Sequence, residues 1–327
     1  MSTLRRATAR LGRLLAERWA FGGPGPRSPA AGSPGPSART RRLVSVCLAT
    51  WFSVISAMRL VVLVGLGEPG FDGRLYIEAS RVWLTGGDPW NVQLNGTAYA
   101  APPPSLLATA PFVVLPVSIA IGLIVGAGLV GTWWALRRLG IPAWWLVFPP
   151  FVDGLWNANP QVLLLPLIVA GSVGGAAATI VKVYAAVPLI LLGRLRAVAL
   201  AAAVIVVTVP VLPWEIYLRR FGEISGRLEA QSQGGMSATT SWALIAIAVL
   251  ALAVIGRRRA AWLAVPGLWP STQWYYATLA VPGLTPVAAA LMAIPAQGAV
   301  VVALVAAAIE VSVPGWMDES WPARPSS

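Results

Sequence analysis

The chain has 327 residues, of which 57% are hydrophobic and only 11% are charged, and its mean hydropathy is +0.71. This balance excludes an ordinary soluble globular domain and indicates a protein whose solvent is lipid. The formal charge of +12 is carried by cations that flank apolar stretches, so positive-inside bias explains it better than nucleic-acid binding does.

The sequence contains no histidine and a single cysteine, Cys47. Cys/His metal sites, histidine-containing triads and an internal disulfide are therefore excluded, and we predict neither a metal nor another cofactor. Any acid–base chemistry must use Asp, Glu, Tyr or Lys side chains.

Residues 1–42 combine arginines with Pro, Gly and Ser and predict a disordered basic tail, although the first part could also lie on an anionic membrane surface. Residues 43–67 are apolar and long enough to cross a hydrocarbon core of about 30 Å. Because Arg39, Arg41 and Arg42 precede this span, the tail is expected in the cytoplasm. We predict a multi-pass protein of the plasma membrane with a cytoplasmic N-terminus.

Residues 68–104 should then form a first external loop, which is the most polar part of the body of the chain. We predict a short helix over residues 76–84, lying on the membrane and ending at Gly86-Gly87. From local sequence alone, Asp72 is best explained as a helix N-cap. Residues 105–116 are too short to span comfortably and favour a re-entrant or interfacial helix.

The next full-length span covers residues 117–136 and ends at Arg137-Arg138. Residues 162–192 are too long for one crossing and tight for two, which is compatible with half-helices that meet near Lys182. A second external loop is predicted over residues 213–241.

Together these segments predict an all-α, polytopic transmembrane helical bundle over residues 43–313, followed by a short C-terminal tail, 314–327. The topology brings Asp72, the stretch 153–161, Lys182 and the stretch 273–276 to the outer face. A lysine at the centre of a membrane helix costs about 2.5 to 3.5 kcal/mol, so Lys182 should have a partner.

The partner of Lys182 is either an acid such as Asp153 or a bound anion, and the sequence leaves both open. Arg59 lies about 25 Å along the first span from Arg42, near the outer surface. It could extend to that surface or pair with Asp72 or Glu68.

Five stretches carry a family resemblance. They are FDGRLY with WLTGGDPW (71–76, 83–90), YAAPPP (99–104), NANPQ (157–161), KVY (182–184) and WPSTQWYY (269–276). In their order and side, they resemble glycosyltransferase family 87, the polyprenyl-phosphate-mannose-dependent mannosyltransferases of the GT-C type that are common in actinobacteria. The resemblance covers most of residues 43–291 and implies a GT-C-like fold.

The resemblance implies a sugar donor linked through phosphate to a polyprenyl lipid, a glycan or glycolipid acceptor at the outer face, and Asp72 as general base. Membrane lipid surrounds such a protein, and no nucleic acid is involved. Lys182, with Arg74 and Arg59, would bind the donor phosphate. The residues expected to bind substrate are Tyr76, Trp90, Tyr99, Asn157, Gln161, Gln273, Tyr275 and Tyr276.

Two alternatives remain open at this point. A flippase or transporter of lipid-linked sugars would use the same substrates, although no inverted pair of halves is visible in the sequence. A catalytically silent relative that acts as a membrane scaffold is favoured by the missing histidine at residues 273–276, where mannosyltransferase relatives tend to have one, and by the short body.

Overall fold

The computed structural model describes residues 37–67, 69–231, 236–270 and 272–313, together with Ala16 and Trp19. Within this part of the chain the protein is all-α, as predicted, with one two-stranded hairpin. The α-helices, numbered α1 to α15 in order, are Ala38–Leu66, Phe71–Leu84, Pro104–Thr109, Val117–Arg138, Pro149–Trp156, Leu164–Val169, Ser172–Val181, Ala186–Leu191, Leu195–Thr208, Trp214–Arg219, Phe221–Gln231, Trp242–Ile255, Arg257–Leu268, Pro286–Met292 and Ala299–Ser312.

Short 3-10 helices connect several of these elements. They cover Pro89–Asn91, Ala110–Phe112, Ala143–Val147, Pro160–Leu163, Val183–Ala185, Ala238–Thr240 and Trp274–Gly283. The predicted C-terminal tail and most of the predicted basic tail lie outside the described residues.

Within the part of the chain that the structure describes, helices α1 and α4 are the two that are long and apolar enough to cross a membrane by length and composition. Helix α1 begins at Ala38, ahead of the start at residue 43 that hydropathy predicts. The reason is a local cap, because the hydroxyl of Ser37 accepts a hydrogen bond from the N–H of Thr40 at 3.1 Å. The arginines that precede the apolar run therefore belong to the helix.

Helix α2 begins earlier than predicted, at Phe71, and the expectation that Asp72 is its N-cap is wrong. The N-cap position is Gly70, in the left-handed region at φ 84°, and Asp72 lies in the first turn. The N–H groups of Gly70 and Gly73 instead donate to the carbonyls of Trp156 and Asn157, at 2.7 and 3.1 Å. Because these backbone carbonyls accept hydrogen bonds from two N–H groups at the helix start, the Asp72 side chain is not needed as a cap.

A small hairpin follows α2 within the predicted first external loop. Strands β1 (Gln93–Leu94) and β2 (Thr97–Ala98) pair antiparallel through a two-residue turn, Asn95-Gly96. Both turn residues have positive φ, 47° and 78°, which is the backbone that Asn-Gly favours in hairpins.

The predicted second external loop contains α10 and α11, which pack against this hairpin region. Ile224 of α11 is buried in one hydrophobic cluster with Trp90 and Tyr99, and the ring centroids of Trp90 and Tyr217 lie 5.2 Å apart. An ionic group at this contact, called the loop cluster below, comprises Asp88, Arg220, Glu223 and Arg227. Arg220 contacts Asp88 at 2.5 Å and Glu223 at 2.8 Å, and Arg227 pairs with Glu223.

The stretch 162–192 is broken into short helices, and one break falls at Lys182. Helix α7 ends at Val181, Lys182 is extended (φ −144°, ψ 111°), and a 3-10 turn, Val183–Ala185, leads into α8. A single extended residue between helical segments points its side chain away from both helix axes, which places the lysine toward α2.

Candidate active site

Asp72 lies where the start of α2 meets the loop that follows α5. Its Oδ2 accepts a hydrogen bond from Nδ2 of Asn159 at 2.7 Å. Protein surrounds the carboxylate, yet the residue stays partly accessible. Burial raises the pKa of Asp72 above its ordinary value, while the Asn159 hydrogen bond and the charge of Lys182 act in the opposite direction.

The loop that carries Asn159 is held in a tight conformation. Ala158 has φ 48°, which is uncommon for a residue with a side chain, and the N–H of Asn159 returns to the carbonyl of Gly154 at 3.0 Å. Oδ1 of Asn159 accepts the N–H of Gln161 at 2.8 Å. This short stretch therefore aims an amide at Asp72 and a second amide, that of Gln161, toward the core.

Lys182 is 9% exposed and donates a hydrogen bond to the hydroxyl of Tyr76. Its ammonium also lies 4.9 Å from the centroid of the Tyr76 ring. Tyr76 follows Asp72 by four residues, so both side chains lie on one face of α2. Lys182 therefore contacts the face of α2 that carries Asp72 and Tyr76. The suggested pairing of Lys182 with Asp153 is wrong.

Asp153 pairs with Arg59 instead. The guanidinium approaches Oδ1 of Asp153 at 2.6 and 2.7 Å and lies 5.6 Å from the ring centroid of Trp274. Arg59 was expected to extend to the surface or to pair with Asp72 or Glu68. Asp153 on α5 is the acid it contacts, because α1 packs against α5, whereas Glu68 lies outside the described residues.

An aromatic group closes the other side of the site. The hydroxyl of Tyr184 donates to Oε1 of Gln161, whose Nε2 lies 3.5 Å from the Thr278 hydroxyl. The ring of Tyr184 lies 4.9 Å from that of Tyr276, and Tyr276 stacks on Tyr275 at 5.4 Å. We call Asp72, Tyr76, Asn159, Gln161, Lys182, Tyr184, Tyr275 and Tyr276 the site cluster.

Gly154 permits this close approach of the aromatic segment. A Cβ at position 154 would lie 2.7 Å from Cγ1 of Val162 and 3.3 Å from Cβ of Tyr275. The 3-10 helix Trp274–Gly283 can therefore pack directly onto α5.

Several residues expected to bind substrate have other contacts. Trp90 and Tyr99 are fully buried; the Trp90 indole donates to the carbonyl of Ala101, and Tyr99 bonds Ser105 and packs edge-on against Tyr76. They support Tyr76 and present no free ring face. The amide of Asn157 donates to the backbone carbonyl of Asp153 at 2.9 Å.

Two further residues lie beside the site cluster. Gln273 is exposed next to the aromatic segment. Arg74 is half-buried and lies two residues after Asp72, about 200° around the helix axis, so its side chain starts on a different face of α2 from Asp72 and Tyr76.

Asn159 and Tyr184 belong to the site cluster although sequence reasoning assigned neither a role. The sequence did offer one indication of their role, because they lie within the short stretches NANPQ and KVY, next to the predicted site residues Gln161 and Lys182.

No family model, curated protein or solved structure matches the chain. Among the residues that the structure describes, no group of three His, Cys, Asp or Glu could hold a metal ion. The site cluster offers one carboxylate, one ammonium and several phenol and amide groups within a small buried region. Such a set can accept a proton, bind an anionic group and hydrogen-bond hydroxyls of a polar substrate.

Proposed function

We propose that the chain is a membrane glycosyltransferase that moves a hexose, with mannose as the first candidate, from a polyprenyl-phosphate carrier to a cell-envelope glycan or glycolipid at the outer face. The observation that carries the proposal is the meeting of Asp72, Lys182 and Tyr275-Tyr276, which are far apart in sequence. Burial of a carboxylate and an ammonium costs free energy, and buried ionisable groups of this kind cluster at functional sites.

The proposed reaction is a single displacement at the anomeric carbon. Asp72 takes the proton of an acceptor hydroxyl as its oxygen forms the new glycosidic bond. The bond between the anomeric carbon and the donor phosphate oxygen breaks, and its electron pair stays on the polyprenyl phosphate. Lys182 offsets the charge that develops there, and Tyr76, which accepts from Lys182, keeps its own O–H to donate to substrate.

The proposed membrane arrangement starts from α1 and α4 as full spans. The shorter apolar segments are 160–169, 172–181, 195–208, 242–255 and 299–312, and they would cross in packed pairs. Large apolar side chains that remain exposed, such as Val61, Val130, Val207 and Leu250, support a lipid environment. In the proposed topology, the arginines at 137–138 and 257–259 lie on the cytoplasmic side, together with the N-terminus.

The test is transfer by purified protein in lipid, with labelled polyprenyl-phosphate mannose and glucose as donors and a membrane glycolipid extract as acceptor. Asp72→Asn should lower transfer by about 10²- to 10⁴-fold, the usual contribution of a general base. Asp88→Asn is the matched control, because this acid belongs to the loop cluster, and it should keep wild-type transfer.

The alternatives give different outcomes in the same preparation. Unchanged transfer in Asp72→Asn would remove the assigned base. Movement of lipid-linked sugar across sealed vesicles without transfer, retained in Asp72→Asn, would identify a flippase. Failure of the wild-type protein with every donor would favour a scaffold.

A further inference from the structure

Asn159 contacts Asp72 in an orientation that its other hydrogen bonds fix. The residue is 2% exposed, and its Oδ1 accepts the N–H of Gln161 at 2.8 Å. A side-chain amide has one oxygen and one NH2 group, so this bond directs the NH2 group toward Asp72, 2.7 Å away. A flipped amide would place an oxygen against the carboxylate and an NH2 group against a backbone N–H, which loses both bonds.

Backbone contacts on either side set the distance between Asn159 and Asp72. The N–H groups of Gly70 and Gly73 bond the carbonyls of Trp156 and Asn157, which binds the first turn of α2 to this loop. A Cβ on Gly73 would lie 2.9 Å from Cβ of Ala158, so the two backbones are as close as a glycine allows. Backbone contacts therefore fix the separation between the first turn of α2, which carries Asp72, and the loop that carries Asn159.

We infer that Asn159 is a positioning residue for Asp72, which holds the carboxylate by Oδ2 in the orientation that receives the proton of the acceptor hydroxyl. The proton-transfer part rests on the proposed function, whereas the hold on the carboxylate does not. Because the amide donates to the carboxylate, it also stabilises the ionised form that a base requires, against the burial that raises the pKa of Asp72. Lys182 and Tyr275 also lower this pKa, and the charge of Asp153 raises it.

The hold on Asp72 can be measured without turnover. Carbodiimide coupling of glycine ethyl ester proceeds through the protonated carboxyl group, so the pH at which labelling of Asp72 falls by half reports its ionisation. Labelling is read by mass spectrometry of the peptide that contains residue 72, in the full chain in lipid nanodiscs, and Asp72→Asn identifies the signal.

Asn159→Ser is the informative variant, because a serine can still accept the N–H of Gln161 but is too short to donate to Asp72. We expect its labelling midpoint to move up by about 1 pH unit, the size expected when a hydrogen bond to a charged group is lost. Asn159→Ala should show the same shift, together with lower thermal stability. Asn91→Ala, an exposed amide in the hairpin region, should leave the midpoint and transfer unchanged.

Two readouts separate this inference from the proposed function. If transfer is present, the acid limb of its pH profile should move with the labelling midpoint in Asn159→Ser. A midpoint that stays at the wild-type value in both Asn159 variants overturns the inference, even if sugar transfer is demonstrated. If the midpoint shifts but the protein transfers no sugar, the positioning role of Asn159 stands and the proposed glycosyl transfer is rejected.

Discussion

The site cluster and the loop cluster use similar residue types in opposite surroundings. In the loop cluster, two arginines contact two acids at a partly exposed surface, and the Arg220 hydrogen bond lowers the pKa of Glu223. In the site cluster a single acid, Asp72, is surrounded by protein, and burial raises its pKa. In the loop cluster each charge has an oppositely charged partner, whereas in the site cluster burial disfavours the ionised form of Asp72.

The comparison separates charges that partner one another from a carboxylate that the proposed function uses as a base. The paired, partly exposed charges of the loop cluster join Asp88 to α11 and gain little from any further ligand. A carboxylate that is costly to ionise, and that the side chains of Asn159 and Tyr275 stabilise, is typical of functional sites. The following predictions test this division, from the largest expected effect to the smallest.

Lys182→Met should raise the KM for a polyprenyl-phosphate sugar by about 10- to 100-fold, since a buried charged hydrogen-bond donor to phosphate is lost. Steady-state transfer at varied donor concentration measures it. Lys182→Arg is the matched control and should recover part of the affinity. An unchanged KM in Lys182→Met would assign the lysine to structure, with Tyr76 as its partner.

Arg59→Met should lower the free energy of unfolding by about 2 kcal/mol, because Asp153 is left buried without its partner. The value is below that for a fully buried pair because the Arg59 side chain keeps 28% exposure. Denaturation in detergent measures it, and the double variant Arg59→Met, Asp153→Asn should recover most of the loss. The exposed pair Arg219 and Glu215, 3.6 Å apart, should contribute less than about 0.5 kcal/mol.

Asp72→Asn should raise the Tm by a few degrees at neutral pH while it lowers transfer. The pKa of Asp72 is raised in the folded state, so ionising this group as pH rises costs folding stability, and an amide removes that cost. The difference in Tm between variant and wild type should therefore shrink at acid pH. A destabilised Asp72→Asn at neutral pH would mean that the carboxylate is a structural partner.

Glu223→Gln should produce the opposite pH dependence and the smallest effect. The pKa of Glu223 is lowered in the folded state, so its contribution is present at neutral pH and is lost as pH falls below about 4. We expect a slightly lower Tm than wild type at pH 7, in low salt, and no difference in high salt. A loss of transfer in this variant would show that the loop cluster takes part in the chemistry.

Sequence reasoning predicted the all-α class, the long helices α1 and α4, and the break near Lys182, because hydropathy and helix-breaking residues act locally. It also selected Asp72, Lys182, Tyr275 and Tyr276, which the structure brings together. These predictions depend on composition and order along the chain.

Apart from the starts of α1 and α2, the errors concern partners in space. Asp72 was assigned as a cap because its local sequence permits one, but carbonyls of residues 156 and 157 bond the start of α2 instead. The pairing of Asp153 with Arg59, and of Lys182 with Tyr76, depends on which helices pack together, and spacing along one chain does not contain that information. Trp90 and Tyr99 were expected to face substrate because aromatic side chains suit both sugars and cores.

The missing side chain at Gly154 has a consequence for how the site could diversify. A Cβ there would lie 2.7 Å from Cγ1 of Val162 and 3.3 Å from Cβ of Tyr275, so both neighbours pack against a residue that has no side chain. A methyl group at this position would force Val162 and Tyr275 to shift without replacing any polar group of the site. The position of the aromatic segment thus depends on volume at a residue with no functional group, and under the proposed function Gly154→Ala would change substrate size preference before it changed the chemistry.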